Sequence, residues 1–270
     1  VQPPGTTIVR ALTIASSDSG GGAGIQADLK AFARCGVHGM SVIVALTAQN
    51  TVGVSAIHPC PTDFVRAQLD AVFADLPPAA IKTGMLLSEP IISTVAAALT
   101  GYSGPLVLDP VMIASSGAQL LEPAAVAALL GLLFPLATVV TPNLMEAQAL
   151  TGLDTEDRTR LTEALVALGA GAALVTGGHG SEPVDHLFAG GEHIEIPVVR
   201  HDRAATHGAG CTHSAALAAC LGRGDPLPVA ARRAALVAGQ AVAHGLAGLG
   251  AGDGPVDALH VASVSPPEVR

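Results

Sequence analysis

The chain has 270 residues, half of them apolar and only 13% charged, enough to bury one large α/β core and too apolar for general disorder. Its formal charge of −9 excludes a general nucleic-acid binder, which would carry a basic stripe. No apolar run would cross a bilayer uninterrupted, and "VQPPGTTIVR" lacks a basic region leading into an apolar one, so a soluble cytoplasmic protein with no membrane partner is expected.

Residues 1–7 read as a loose N-terminal extension. "IVRALTIA" (8–15) reads as a buried strand, followed by the loop "SSDSGGGAG" and a helix carrying Ile25, Leu29 and Phe32 on one stripe. Gly36 ends that helix, and "MSVIVALTA" (40–48) is a second buried strand. Thr62 caps a helix over 62–76 with Val65, Leu69, Val72 and Leu76 on one face. Short apolar strands then recur in "AAIKTG", "PLVLDPV", "ATVVTPN" and "AALVTGG", separated by helices near 89–100, 122–134, 144–151 and 158–168. "PVDHLFAGGEHIEIPVV" (183–199) reads as an edge hairpin, and alanine-rich helices near 211–222 and 226–247 close the chain. Strand–helix alternation without a linker or repeat predicts one domain over 1–270, a three-layer α/β/α fold on a mostly parallel, doubly wound sheet.

Ligands of such sheets bind beyond the carboxyl ends of the strands. Here those ends read "SSDSGGGAG", "AQNT", "KTGM", "DPVM", "TPNLMEA" and "GGH", polar or glycine-rich in every case. "GGGAG" (20–24) is either a phosphate-binding turn or a plain tight turn, since it lacks the Lys-Ser/Thr ending of a P-loop. Asp28 shares the apolar face of its helix, so its carboxylate is either in a buried ion pair or aimed into a pocket. Gln49 and Asn50 either tie down a turn or read the edge of a heterocycle. Asp109, Asn143 and Glu146 offer oxygen ligands suited to Mg²⁺, although Asn143 and Glu146 also have the spacing of a capping box.

"THGAGCTHSAALAAC" (206–220) is the most specific stretch. Gly208 and Gly210 let backbone N–H groups converge at a helix N-terminus, where an anion belongs. The same dipole favours the thiolate of Cys211 and predicts a lowered pKa, the alternative being a small packing residue. The four cysteines, Cys35, Cys60, Cys211 and Cys220, show no CxxC spacing, so neither a zinc site nor a disulfide framework is indicated. Cys220, nine residues along the same predicted helix, is too far from Cys211 to pair.

"ALTIASSDSGGGAGIQADLKAF", "TAQNT", "KTGM", "LDPVM", "SSG", "VTPNLMEA" and "THGAGCTHSAALAA" occur in an order that resembles the hydroxymethylpyrimidine/phosphomethylpyrimidine kinases of thiamine biosynthesis. The resemblance spans about residues 10 to 260 and implies a ribokinase-like, homodimeric enzyme using ATP and Mg²⁺ on a small aminopyrimidine, then on its monophosphate. It implies that Gln49 bonds the pyrimidine edge, with Asp28, Met85 and Val111 near the substrate. Asn143 and Glu146 would hold the magnesium–phosphate network, assisted by Asp109. Gly208, Ala209, Gly210 and Cys211 would form the anion hole, with Cys211 as general base. Thr176 stands where the family usually has lysine, beside Gly178, and Ala204 stands where another lysine is usual, next to Arg203. Ala209 replaces a threonine. A pyridoxal or pyridoxine kinase and a catalytically weak pyrimidine-binding protein are the alternatives; a sugar kinase would carry aspartate in place of Cys211.

Overall fold

The first strand, β1 (Arg10–Asp18), runs three residues beyond the expected one. A bulge between Ala15 and Ser17 lets Ser17 and Asp18 stay paired with the second strand, β2 (His38–Gln49), and so aims Asp18 out of the sheet end. A computed structural model describes residues 8–112, 120–122, 124–178, 182–201 and 205–263. The N-terminal extension, the "SSG" motif at 115–117, His179, Arg203 and Ala204 lie outside the described residues.

Helix α1 (Gly24–Arg34) joins β1 to β2, and β3 (Val54–Pro59), α2 (Thr62–Asp75), β4 (Ala80–Thr83), α3 (Glu89–Leu99) and β5 (Leu106–Leu108) follow. Then come α4 (Ala125–Ala128), which continues as a π turn over 129–133 and a 3-10 turn over 134–136, β6 (Val139–Val140), α5 (Leu144–Thr151) and α6 (Arg158–Ala167). The chain finishes with β7 (Ala172–Val175), the hairpin β8 (Val184–Ala189) and β9 (Glu192–Pro197), then α7 (Ala209–Gly222) and α8 (Leu227–Ala243). Strand β3 was not expected. Asn50 makes it possible, because its side-chain oxygen accepts the Val52 and Gly53 N–H groups and folds β3 back on β2.

The sheet has nine strands in the order β3-β2-β1-β4-β5-β6-β7-β8-β9, with antiparallel pairs only at its two margins. Period-2 alternation divides the core. Leu12, Ile14, Ile81 and Leu108 face helices α2 to α6, whereas Ala11, Ala80, Val107 and Leu174 face α1, α7 and α8. The small residues of the second set let α7, whose buried face includes Ala215, Ala216, Ala218 and Ala219, lie close on β1, β4 and β5. From β1 the chain leaves to β2 on one side and reaches β4 on the other, so the crevice of the sheet opens beyond these carboxyl ends. No helix among the described residues is long and apolar enough to cross a membrane.

Candidate active site

At the end of β1 the Asp18 carboxylate accepts N–H groups from Gly20, Gly22 and Ala23 at 2.8, 3.0 and 2.8 Å. The N–H groups of "GGGAG" are thus turned onto the chain's own carboxylate, and the stretch is the tight turn of the two readings. His207 Nε2 lies 3.1 Å from Asp18 Oδ2 and ties this turn to the start of α7. Burial pushes Asp18 up, but the His207 bond and the backbone N–H groups outweigh it and hold the carboxyl below its ordinary value. Gly208 caps α7 at φ 84°, and a Cβ there would overlap the Gly22 carbonyl oxygen. The glycine is therefore required by the close approach of the two loops.

Beneath this joint is a buried charge cluster. Thr13 and Lys82 are cross-strand partners on β1 and β4, so both side chains rise on the same face toward α1. Lys82 Nζ meets the Asp28 oxygens at 2.8 and 3.0 Å, and Thr13 Oγ1 donates to Asp28 Oδ2 at 2.6 Å. Asp28 and Lys82 are both wholly buried. Of the two readings of Asp28, the ion pair is the one found: both carboxylate oxygens are bonded within the protein. Lys82 also lies 3.7 Å from Asp109 Oδ2, the oxygen to which Ser214 Oγ donates at 2.8 Å. Burial works against the ammonium, yet Asp28, Cys211 and Asp109 together hold its pKa above the ordinary lysine range. Gly84 leaves room for it, since a Cβ there would stand 2.9 Å from Nζ.

Cys211, half-buried, is the third residue of α7 and is approached by the Gly24 N–H. Its pKa is opposite to expectation. Burial pushes the thiol up to about 12; Lys82 opposes this, but the Asp28 and Asp109 charges reinforce it. The helix dipole and a neighbouring lysine are outweighed by desolvation and two carboxylates, so the free protein carries a neutral thiol. Reaction with iodoacetamide is accordingly expected to be slow at pH 7 and to accelerate only as the pH approaches 12. A fast, pH-independent alkylation between pH 6 and 8 would restore the thiolate.

On the other side of Asp109, Asn143 Oδ1 accepts the Glu146 N–H at 2.9 Å and Glu146 Oε2 accepts the Asn143 N–H at 3.0 Å, a complete capping box that starts α5. Glu146 is pushed up to about 8, by burial first and then by the Asp109 charge. Among the described residues no group of three or more His, Cys, Asp or Glu could cage a metal. Two buried carboxyl groups, Glu146 held protonated mainly by burial and ready to ionise beside a cation, nevertheless fit a Mg²⁺ held by one or two protein oxygens plus phosphates.

The end of β2 differs. Gln49 ends β2, with Oε1 accepting from Thr47 Oγ1 at 3.1 Å and Nε2 standing 3.4 Å from His207 Nε2. One imidazole nitrogen cannot donate to Asp18 and accept from Gln49 together, and the shorter Asp18 contact takes it. Gln49 lines a cavity of about 260 Å³ together with Asn50, His207 and Asp253. Met85, buried after β4, accepts from Ser16 Oγ through its sulfur at 3.1 Å, and half-buried Val111 follows Asp109. Thr176 N–H bonds the Pro142 carbonyl at 3.1 Å, which brings the Thr176–Gly178 turn beside Asn143.

Lys82, Asp18, His207 and Ser214 were not assigned roles from sequence. A lysine at an inward position of the apolar strand "AAIKTG" was the available signal.

Residues 18–257 match the profile of the phosphomethylpyrimidine kinase family. The hydroxymethylpyrimidine/phosphomethylpyrimidine kinase of Rhizobium meliloti (strain 1021) is 49% identical over 93% of this chain and 97% of its own length. The crystal structure of phosphomethylpyrimidine kinase from Clostridium difficile 630 superposes with a TM-score of 0.75 at 41% identity, covering 84% of this chain and 96% of that one. An ADP complex of Bacillus subtilis pyridoxal kinase superposes with a TM-score of 0.86 at 35% identity, covering 96% and 100%. With the ribokinase-like fold and the glycine–cysteine turn in place, the chain belongs to the phosphomethylpyrimidine kinase family.

Proposed function

We propose that the chain is the bifunctional kinase of thiamine biosynthesis. It transfers the γ-phosphoryl group of ATP to the hydroxymethyl oxygen of 4-amino-5-hydroxymethyl-2-methylpyrimidine, and then phosphorylates that monophosphate to the pyrophosphate. The observation that carries this reading is the start of α7, Gly208-Ala209-Gly210-Cys211, standing over the buried Lys82–Asp109 pair beyond β4 and β5. Phosphoryl transfer asks mainly for positioning and for stabilisation of spreading negative charge. The N-terminal N–H groups of α7 supply that, and a neutral Cys211 thiol adds a donor without a thiolate's repulsion toward phosphate. The acceptor proton leaves late, once bond formation has acidified it, so no ionised base is needed beforehand.

Gln49 donates to the aminopyrimidine edge, with Met85 and Val111 against its ring. Asp109 and Glu146 hold Mg²⁺, partly through water, in a network with Asn143; bound there, the ion neutralises phosphate charge in the transition state. Thr176, Gly178 and Arg203 contact the nucleotide phosphates, a hydroxyl and a guanidinium standing in for the usual lysines. The protein works as a cytoplasmic homodimer, for which light scattering should return the mass of two chains.

The test is incubation with MgATP and each acceptor. Pyrophosphate formation from the pyrimidine monophosphate is expected. Turnover of pyridoxal alone would establish the second reading, a vitamin B6 kinase, which is favoured by the higher TM-score to the pyridoxal kinase structure.

A further inference from the structure

Gly177, in the Thr176–Gly178 turn, is fixed on every side. Its N–H donates to Asp185 Oδ1 at 2.6 Å, and its carbonyl accepts from Arg200 Nη2 at 3.1 Å. A Cβ at this position would come within 2.5 Å of the Val184 backbone nitrogen. Gly177 is itself buried, so the turn is anchored on its inner side.

The tie leads back to α7. Asp185, on β8, is 2% exposed, and its second oxygen lies 3.2 Å from Nε2 of His213, which is 5% exposed. The approach is out of line for a hydrogen bond, so among the described residues Asp185 Oδ2 and both His213 ring nitrogens have no hydrogen-bond partner. A polar pair left without hydrogen bonds at this depth is costly to keep. His213 follows Cys211 by two residues and precedes Ser214, which bonds Asp109. Within one turn, α7 therefore meets the Lys82 cluster through Cys211, Asp109 through Ser214 and, by way of Asp185, the Thr176–Gly178 turn through His213.

We propose that His213 is a positioning residue. Through Asp185 it fixes the Gly177 peptide, so that α7 sets the anion hole and the nucleotide turn at one distance in a chain that lacks the lysine usual at Thr176. The inference rests on the assignment of the Thr176–Gly178 turn to the nucleotide. Misplacing that turn weakens nucleotide use without touching the pyrimidine site.

The test is steady-state kinetics of His213→Leu, with ADP binding and thermal unfolding followed in parallel. The KM for ATP should rise about tenfold, with the pyrimidine KM within about twofold of wild type. The double variant His213→Leu/Asp185→Asn removes the stranded charge and keeps an acceptor for Gly177, so it should recover most of the ATP affinity. A lowered unfolding temperature with unchanged KM for ATP, or equal loss for both substrates, would overturn the proposal. Should His213→Leu not fold, Asp185→Ala against Asp185→Asn decides: only the alanine should raise the KM for ATP, and equal values overturn it. Absence of ADP binding in the wild type would overturn the nucleotide assignment as well; normal wild-type binding with an unaffected variant overturns the anchor alone.

Discussion

Lys82→Met is expected to destabilise the protein by about 3–5 kcal/mol, because it leaves the Asp28 carboxylate buried without its counter-ion. Both groups are inaccessible to solvent, and Thr13 alone cannot replace an ammonium at 2.8 Å. The second variant matters more. In Lys82→Met/Asp28→Leu the uncompensated charge is gone, and most of the lost stability should return. Activity should not return with it, since Lys82 is also the cation beside Asp109 and Cys211. Urea unfolding and turnover measured on the same preparations separate the two roles, and recovery of both would reduce Lys82 to a packing partner of Asp28. The raised lysine pKa sets the sign on the alkaline side: while Asp28 stays ionised, this stabilisation is complete below the unfolded lysine value of about 10.4 and is lost as pH rises through the higher folded value. On the acid side burial raises the Asp28 pKa, and the ion pair is lost as that carboxylate takes up a proton.

Cys211→Ala should lower kcat about 100-fold while the pyrimidine KM stays within about twofold, the pattern of a donor lost in the transition state. Serine distinguishes the two chemistries open to this position. A hydroxyl is neutral throughout the working pH range and can still donate, so Cys211→Ser should keep turnover within about tenfold of wild type if a neutral thiol is what the site uses. A serine variant as inactive as the alanine would mean that an ionised base is required. Equal losses in kcat and in pyrimidine affinity would instead identify Cys211 as mainly a filler of the α7–β4 contact.

Much of the fold was legible because hydrophobic period and turn chemistry agree locally. Helix α5 begins at Leu144 because Asn143 and Glu146 have capping-box spacing, and the β8–β9 hairpin turns at Gly190-Gly191. Strand β3 escaped because its outward residues are exposed and its pairing depends on one asparagine turn. The site divides in the same way. The glycines before Cys211 announce a helix N-terminus, and Gln49 and Asp109 stand at strand ends, where ligands of such sheets are met. Asp28 was found on the inward face of its helix, but whether it met a lysine or a pocket depended on a strand 54 residues away.

The sequence by itself determined the alternation of strands and helices, the family and the glycine turn that opens α7, because each is written in short-range pattern. Only the tertiary structure decided which charges are neighbours. The dipole at the start of α7 is local and favours a thiolate, whereas burial and the carboxylates of Asp28 and Asp109, brought in by α1 and β5, reverse it. Electrostatic energies depend on distance and dielectric between residues remote in the chain, and neither quantity exists until the sheet has assembled.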